Sequence, residues 1–271
     1  MPELPEVESV VRSLARTVLG DTIESVWLSG KAPLFKSPPA EIARVLEGSK
    51  IERIHRQGKH IVIDLRNGRS TPAQWIVHLG MTGQLLVTTP NAEIPKHTHV
   101  VAKLETNREV RFVDPRRFGR TWVVTDEAGF EAGGREPLDI DFDQFATMFH
   151  RRNTPVKSAL LNQKLLRGVG NIYADESLFR AGVRPRRRAG SLTRMELRRL
   201  YDAIRQVLRE AISAGGSSIS DYVNAEGEAG FFQVHHRVYG REGEPCLVCG
   251  TPIKRVVVAG RGTHYCPRCQ K

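Results

Sequence analysis

The sequence predicts an α+β protein with more than one domain: an N-terminal helix on antiparallel β-structure, then a helical part, then a zinc module. Apolar residues recur at helical spacing over residues 5–19, and short alternating apolar runs follow over residues 22–125. Helical spacing returns after Gly133-Gly134, which is the best candidate domain boundary. The cysteines all lie in the last 26 residues, where they define a separate small module.

The N-terminal helix is predicted over residues 5–19 by an apolar stripe at i, i+3, i+4 and i+7 spacing. The stripe consists of Val7, Val10, Val11, Leu14, Ala15, Val18 and Leu19. Pro5 suits the first turn of this helix, and Gly20 suits its end. Docking of the stripe on a core would hold Pro2, Glu3 and Glu6 in a fixed place.

The β-rich part is predicted to contain eight short strands without intervening helices, which is typical of an antiparallel sandwich or barrel. The candidate strands are residues 22–28, 51–55, 60–65, 74–79, 84–88, 99–104, 109–113 and 121–124. Asn67-Gly68 and Thr89-Pro90-Asn91 are good turn sequences between them. A helix over residues 39–47 is expected as an insertion.

The second half is predicted to be helical over residues 142–150, 155–166, 171–181 and 193–214. Thr193 and Glu196 form the sequence pattern of a capping box at the start of the last helix. Residues 217–244 are rich in glycine, polar and charged residues and are expected to be a mobile connector. A hairpin is expected from residues 253–258 and 263–265.

The charge of the chain indicates a polyanionic partner. The net charge is +11, and by count residues 1–135 carry +3 (19 basic, 16 acidic) while residues 136–271 carry +8 (22 basic, 14 acidic). Nucleic acid is the simplest such partner, and a basic surface without a binding function is the alternative. No apolar run approaches the ~20 residues of a membrane span, and no signal peptide is recognisable, so a cytoplasmic protein is expected.

The four cysteines predict one zinc ion. Two Cys-x2-Cys pairs in an apparently intracellular chain are typical of a tetrahedral zinc site rather than of disulfides. The ligands are Cys246, Cys249, Cys266 and Cys269. Because four cysteines leave zinc no open position, the ion would be structural.

The first residues carry a possible nucleophile. Pro2 has a small, constrained side chain, so we expect Met1 to be removed, which leaves a secondary amine with a pKa near ~8. Such an amine attacks a sugar or aldehyde carbon and forms an iminium that stays charged without a proton. Glu3 places a carboxyl group beside the same centre. On these residues alone, the simpler interpretation is favoured, in which Pro2 and Pro5 only begin a helix.

Several other stretches could contact a nucleic acid, although each has a simpler interpretation. The glycine-rich turn at residues 166–173 could bind a phosphate at a helix start. Met81 lies in a glycine-flanked turn, and Arg116 lies beside Phe118 after a strand. Such side chains can fill the gap left by a flipped base, but on the residues alone Met81 and Phe118 are more simply core residues. Lys59 is more simply an exposed lysine in a turn.

Five motifs in order resemble the formamidopyrimidine-DNA glycosylase (Fpg) family over the whole chain. They are Pro-Glu-Leu-Pro-Glu-Val at 2–7, His-Leu-Gly-Met-Thr-Gly at 78–83, Asp-Pro-Arg-Arg-Phe-Gly at 114–119, Gly-Val-Gly-Asn-Ile-Tyr at 168–173, and the cysteine module. Each motif is modest alone, but together they are specific. Leu4 in the first motif differs from the Gly that is typical of the related endonuclease VIII branch.

The resemblance implies a β-sandwich with its N-terminal helix over residues 1–134 and a helix-two-turn-helix DNA-binding domain with a lesion loop over 135–230. A zinc-ribbon finger would follow over residues 231–271, and DNA would bind between the domains. It implies a bifunctional glycosylase and AP lyase that excises oxidised purines from double-stranded DNA by Pro2 iminium chemistry and β,δ-elimination. The match is weakest over residues 217–230, which in the family cover the flipped base.

The resemblance also implies roles for individual residues. The catalytic residues are Pro2 as nucleophile, Glu3 as general acid and base, Lys59 as the catalytic lysine of the β-domain, and Arg261 as proton donor in the last elimination. The DNA-binding residues are His78, Met81, His97, Arg116, Phe118, Arg152, Lys157 and Asn171. Among these, Met81, Arg116 and Phe118 fill the gap of the flipped base, and His78, Asn171 and Arg261 bind phosphate.

Three alternatives remain at this stage. A generic basic scaffold with structural zinc would leave the ordered motifs unexplained. An endonuclease VIII-type enzyme acting on oxidised pyrimidines is disfavoured by Leu4. A non-catalytic zinc-ribbon DNA-binding protein would be expected to lack Pro2 or Glu3, and both are present. We expect a monomer in a bacterial-type cytoplasm, associated with the nucleoid through DNA, because no repeat or coiled coil indicates assembly and no membrane partner is implied.

Overall fold

The structure is a computed structural model that describes residues 1–68, 72–219 and 222–271. Its contacts divide the chain into two compact units. Unit 1 contains Met1–Ala132 and Ala214–Phe231, and unit 2 contains Gly133–Ser213 and Phe232–Lys271. No helix in these described ranges is both long and apolar enough to cross a membrane.

Unit 1 begins with the predicted amphipathic helix, α1, which spans Leu4–Val18. Val7, Val10 and Leu14 on its apolar face are fully buried and pack into the core of the sheets. Pro5 lies in the first turn, and Gly20 takes a φ of 88° just beyond the helix. The prediction from the apolar stripe is therefore confirmed within one residue at each end.

The β-rich part of unit 1 is a sandwich. Its described strands are β1 Ile23–Leu28, β2 Lys50–Gln57, β3 His60–Arg66, β4 Pro72–His78, β5 Gln84–Thr88, β6 Thr98–Leu104, β7 Arg108–Val113 and β8 Arg120–Val124. They form two antiparallel four-stranded sheets within the described residues, in the orders β1-β6-β7-β5 and β2-β3-β4-β8. Both sheets contribute buried residues to one apolar core, as the sandwich prediction requires. The expected inserted helix is α2, Pro39–Leu46.

Unit 2 contains the predicted helices α3 Phe142–Phe149, α4 Val156–Leu161, α5 Asn171–Ala181 and α6 Arg194–Ser213. The prediction of one helix over 155–166 is wrong in its length. After Leu161 the chain turns, and Leu165 and Arg167 exchange backbone hydrogen bonds with Arg135 (2.9 and 3.0 Å) instead of continuing α4. At the start of α6, Glu196 accepts the N–H of Thr193 at 2.8 Å, which confirms the capping box.

The predicted C-terminal hairpin is formed by β9 Lys254–Val258 and β10 Arg261–Tyr265. Val258 pairs with Arg261, so the loop has two residues, Ala259 and Gly260. Their φ angles are 49° and 73°. Two positive φ values are what a tight hairpin of this length requires, and the turn therefore presents Arg261 at the first position of β10.

The segment Ala214–Phe231 belongs by its contacts to unit 1, whereas the sequence assigns residues 135–230 to the helical domain. Ala225 is fully buried in the core of the sandwich. Its N–H donates to Ser13 Oγ on α1 at 2.9 Å, and its carbonyl accepts the N–H of Val87 at 2.8 Å. The predicted lesion loop includes Ser220 and Asp221, which lie outside the described residues.

Candidate functional site

The N-terminal residues are held at the start of α1. Pro2 is buried, and Glu3 is only 3% exposed. The N–H of Glu3 donates to Glu6 Oε2 at 2.8 Å, which is one half of a capping box. Met1 is 50% exposed in the chain as described, so it is accessible for removal. The helix therefore places the predicted nucleophile and the predicted acid–base group together, as the apolar stripe of α1 indicated.

Glu6 also binds the segment that follows α6. Its Oε1 accepts the N–H of Ser217 at 2.8 Å, and its backbone carbonyl accepts the hydroxyl of Tyr222 at 3.1 Å. Glu6 is 2% exposed. One buried carboxylate thus accepts hydrogen bonds from the backbone of Glu3 and from the backbone of Ser217 in the predicted lesion loop. No role for Glu6 was predicted from the sequence, in which the Gly215-Gly216 pair is the available signal of a close backbone approach.

Lys59 lies in the two-residue turn between β2 and β3, after Gly58, whose φ is 59°. A lysine at the tip of a hairpin is ordinarily exposed, but Lys59 is only 8% exposed. The interpretation of Lys59 as an exposed turn lysine is therefore wrong. A buried lysine side chain in a turn is more typical of a functional lysine than of a surface lysine.

His78 ends β4, where it pairs with His60 of β3 and Arg120 of β8. Burial is the main cause that lowers the pKa of His78 to about 4, and nearby positive groups lower it further: His60, Lys59, Lys36 and Arg120. The imidazole is therefore neutral at pH 7. Its Nδ1 accepts the N–H of Gly80 at 3.2 Å, so the ring proton lies on Nε2. A neutral donor can bind a phosphate oxygen without adding charge.

Met81 and Phe118 are exposed, at 41% and 50%. The interpretation of both as core residues is therefore wrong. The guanidinium of Arg116 lies 4.8 Å from the centre of the Phe118 ring, so these two side chains form one exposed group. Their exposure fits side chains that fill a gap in stacked bases.

Asp114 joins the loop that carries Met81 to the loop that carries Phe118. Its Oδ1 accepts the hydroxyl of Thr82 at 2.7 Å, and its Oδ2 accepts the N–H of Gly119 at 2.7 Å. A Cβ on Gly80 would lie 2.4 Å from the nitrogen of Gly119, so the two loops touch through their backbones. Asp114 belongs to the motif at residues 114–119, but its role as the connecting residue is visible only in the structure.

His97 is exposed and takes a φ of 70°, immediately before β6. Its carbonyl accepts the N–H of Asp114 at 3.0 Å. The neighbouring His99 is 2% exposed, and its Nε2 lies 3.1 Å from the carbonyl of Asp114. His97 is thus presented to solvent near the same loop, whereas His99 is a structural residue of the strand.

In unit 2, the predicted residues Asn171, Lys157 and Arg261 meet at the hairpin turn. Asn171 is the first residue of α5, and its Nδ2 donates to the carbonyl of Gly262 at 3.0 Å. Arg261 is exposed, whereas Lys157 is fully buried and forms an ion pair with Asp175 at 2.7 Å. Asp175 was not identified from the sequence. Its i+4 spacing from Asn171 on α5 was the available signal.

Arg152 is half-buried near the start of the segment before α4. Its Nε donates to the carbonyl of Met148, and its own carbonyl accepts the N–H of Gly190 at 2.8 Å. A Cβ on Gly190 would lie 2.7 Å from the nitrogen of Arg152. The backbone at Arg152 is therefore closely packed.

The four cysteines converge on one point. Their sulfur atoms all lie within 4.8 Å of one another, with Cys246 and Cys269 at 3.8 Å and Cys249 and Cys266 at 3.5 Å. Tetrahedral coordination with Zn–S bonds of about 2.3 Å requires sulfurs about 3.8 Å apart. The N–H groups of Val248 and Cys269 point to Cys246 and Cys266 sulfur at 3.5 and 3.4 Å. The donor set fits one structural zinc ion.

Glu176, the neighbour of Asp175 on α5, holds the chain that leads into the finger. Its carboxylate accepts the N–H groups of Arg237, Val238 and Tyr239, each at 2.9 Å. Burial raises the pKa of Glu176, and these hydrogen bonds oppose that rise. The end of the predicted connector is therefore bonded to α5 rather than unattached.

Family models match three consecutive parts of the chain. The formamidopyrimidine-DNA glycosylase N-terminal domain matches residues 1–121, and the H2TH domain of the same enzymes matches residues 134–223. A zinc finger found in FPG and IleRS matches residues 243–271. The sandwich, the helical unit and the four-cysteine finger thus define the class of zinc-finger DNA glycosylases.

The chain belongs to the formamidopyrimidine-DNA glycosylase family. The enzyme of that name from Solibacter usitatus is 49% identical over 272 residues and the full length of both chains. The crystal structure of MutM (FPG) from Thermus thermophilus is 43% identical, with a TM-score of 0.86 over 99% of this chain and 98% of that one. A Lactococcus lactis FPG mutant, in complex with Fapy-dG-containing DNA, is 33% identical with a TM-score of 0.91 over both complete chains.

Proposed function

We propose that the chain is a bifunctional DNA glycosylase and AP lyase of base excision repair, which removes oxidised purines from double-stranded DNA. The observation that carries this is the buried Pro2-Glu3 pair, held at the start of α1 by Glu6, in a chain that belongs to this family. The Glu3 carboxylate also takes part in the capping box of α1, which is a structural role. Beside the buried Pro2 it is in addition the adjacent proton carrier that an amine nucleophile requires.

Pro2 starts the reaction once Met1 is removed. Its secondary amine attacks C1′ of the damaged nucleotide, and the bond from C1′ to the base breaks, so that the base leaves with the bonding electrons and a proton. Glu3 is the group that transfers protons as the sugar ring opens and the iminium forms. The fixed position of both residues on α1 makes the attack effectively unimolecular after binding.

Two eliminations follow from the iminium. Loss of the C2′ proton breaks the C3′–O bond, and loss of the C4′ proton then breaks the C5′–O bond, each phosphate leaving with the electron pair. Lys59 suits the first stages because its side chain is buried in the β2–β3 turn, close enough to His78 to act on it electrostatically, and His78 is a proposed phosphate donor. Arg261, exposed at the hairpin turn, suits proton donation in the second elimination.

DNA contacts divide into base and phosphate contacts. Met81, Arg116 and Phe118 form the exposed group that fills the gap of the flipped base. His78 and Asn171 are phosphate donors, and His97, Arg152 and Lys157 complete the predicted set. Of these, Lys157 contributes through the hairpin, because its side chain is fully buried.

Zinc acts in the structure of the finger. When bound, it cross-links Cys246, Cys249, Cys266 and Cys269 and so stabilises the hairpin that carries Arg261.

We also propose that the protein is a cytoplasmic monomer associated with the nucleoid through DNA.

Borohydride trapping tests the function. The protein should form a covalent complex with duplex DNA that contains 8-oxoguanine opposite cytosine, because borohydride reduces the iminium to a stable amine. The measurement is a shifted band on a denaturing gel. A variant with one extra residue before Pro2 that resists processing is the control, and it should form none. Unchanged trapping by that variant, or preferential trapping with an oxidised pyrimidine, would contradict the proposal.

A further inference from the structure

A buried ion pair lies beneath the hairpin turn of unit 2. Lys157 of α4 and Asp175 of α5 are both fully buried, and Lys157 Nζ lies 2.7 Å from Asp175 Oδ1. Burying two charges is costly unless their remaining donors and acceptors are satisfied. The partners of this pair therefore indicate what it does.

The ammonium of Lys157 binds the backbone and side chain of the hairpin. It donates to the carbonyl of Gly262 at 3.1 Å and to Thr263 Oγ1 at 2.8 Å. The hydroxyl of Thr263 in turn donates to the carbonyl of Arg261 at 2.9 Å. Two successive carbonyls, those of Arg261 and Gly262, are thus connected to one buried charge.

Asp175 and Asn171 bind the same turn from α5. Asp175 Oδ2 accepts the N–H of His264 at 2.8 Å, and Asn171 Nδ2 donates to the carbonyl of Gly262 at 3.0 Å. Each residue from Arg261 to His264 is therefore held through a polar group. Arg261 itself keeps an exposed side chain. Its guanidinium starts from a backbone that α4 and α5 fix in place.

We propose that Lys157 and Asp175 are positioning residues for Arg261, and that they determine the efficiency of the second elimination. This inference depends on the proposed function. Lys157 acts here through the hairpin and not by touching DNA, because its ammonium is enclosed by Asp175, Gly262 and Thr263. A charge pair suits this task better than apolar packing, because its hydrogen bonds fix direction as well as distance.

The second elimination is the step that should respond. In it, C4′ loses a proton, the C5′–O bond breaks, and the phosphate leaves with the electron pair, while Arg261 donates to the leaving oxygen. A displacement of about 1 Å at a reacting group can cost about a hundredfold in rate. The attack of Pro2 and the first elimination do not use Arg261 as a proton donor. Breaking the ion pair should therefore slow the second elimination and leave the first elimination nearly unchanged.

The test measures product ratios on duplex DNA that contains 8-oxoguanine or an abasic site. Lys157→Met and Asp175→Asn should lower the ratio of 3′-phosphate product to 3′-unsaturated aldehyde by about tenfold or more. Base excision and borohydride trapping by Asp175→Asn, which alters no residue of the DNA-binding set, should change by less than about threefold. Arg261→Ala provides the reference for complete loss of the second elimination. An unchanged ratio in both variants would overturn the proposal.

Glu176→Gln is the matched control. It also alters a buried carboxylate on α5, but Glu176 binds residues 237–239 and not the turn. Its product ratio should equal that of the wild type, and a fall as large as that of Asp175→Asn would refute a specific role of the pair.

If Lys157→Met does not fold, Thr263→Val serves instead, since it removes only the hydroxyl between Lys157 and the Arg261 carbonyl. Absence of trapping in the wild type would instead reject the proposed function.

Discussion

At the scale of single residues, His78 shows how packing sets chemistry. Burial lowers its pKa to about 4, and the N–H of Gly80 directs the remaining proton to Nε2. A histidine at the end of a strand would be a mixed population near its usual pKa of about 6.5. The folded protein instead contains one neutral tautomer with a defined donor.

This shift predicts a pH dependence of stability. Between pH 6.5 and about 4 the unfolded chain takes up a proton at His78 that the folded protein does not, so the free energy of unfolding falls as the pH falls. The loss would be at most about 3 kcal/mol. His78→Gln removes this contribution, so its stability should decrease less over that range.

Urea unfolding at pH 7, 5.5 and 4 measures the effect. The difference in the free energy of unfolding between the wild type and His78→Gln should depend on pH. It should become smaller as the solution becomes more acidic. A difference that is the same at all three values would show that the environment of His78 does not favour the neutral form.

At the scale of elements, the contact between α1 and the segment after α6 is the critical one. Gly216 has a φ of 85°, and a Cβ there would lie 2.9 Å from Glu6 Oε1. The backbone at Gly216 therefore approaches α1 so closely that a residue with a side chain would not fit there. Ser217 uses that approach to donate to the same carboxylate.

Substitutions of two glycines distinguish the effect of backbone strain from the effect of losing this contact. Gly216→Ala and Gly227→Ala both place a side chain at a positive φ, at 85° and 82°, which costs about 1 kcal/mol in each variant. Only at Gly216 does the new Cβ meet Glu6, because nothing lies within 4 Å at Gly227. Gly216→Ala should therefore reduce base excision and trapping well below the level of Gly227→Ala. Single-turnover excision rates provide the comparison, and equal rates would show that the contact does not support Pro2 and Glu3.

At the scale of the whole molecule, charge and zinc determine DNA binding. The net charge of +11 makes DNA binding dependent on salt. The finger itself contributes few residues to its small core, in which Phe179 of α5 packs with Val238, Ile253, Cys246 and Cys266. Such a core contributes little folding free energy without the metal.

Removing zinc should therefore weaken DNA binding. Chelation, or Cys246→Ser, should raise the Kd for lesion-containing duplex by more than about tenfold, because the finger unfolds when it loses its cross-link. The slope of log Kd against log salt should also decrease by about 0.9 for each phosphate that the protein no longer neutralises. Titrations at several salt concentrations measure both. Restored affinity after zinc is added back to the chelated protein is the control, and an unchanged Kd without zinc would exclude the finger from the DNA site.

Most of the secondary structure and the zinc ligands were predictable from local sequence patterns. The stripe of α1, the strands and the paired cysteines are local patterns, so their spacing alone predicted the helix to within one residue and the zinc ligands. The helix expected over 155–166 was too long, because the backbone after Leu161 bonds to Arg135 instead. A distant partner of that kind has no local pattern.

The burial of individual side chains, and the partners that they contact, could not be predicted before the elements were packed together. Lys59 is buried in its turn, while Met81 and Phe118 are exposed, the reverse of what each residue type indicates on its own. The carboxylate of Glu6 meets a residue 211 positions away, and Lys157 meets hairpin residues more than 100 positions away. Burial and long-range pairing depend on how the elements pack, which spacing along a chain does not specify. The family resemblance of the motifs therefore predicted the candidate catalytic residues, and the fold revealed the residues that hold them.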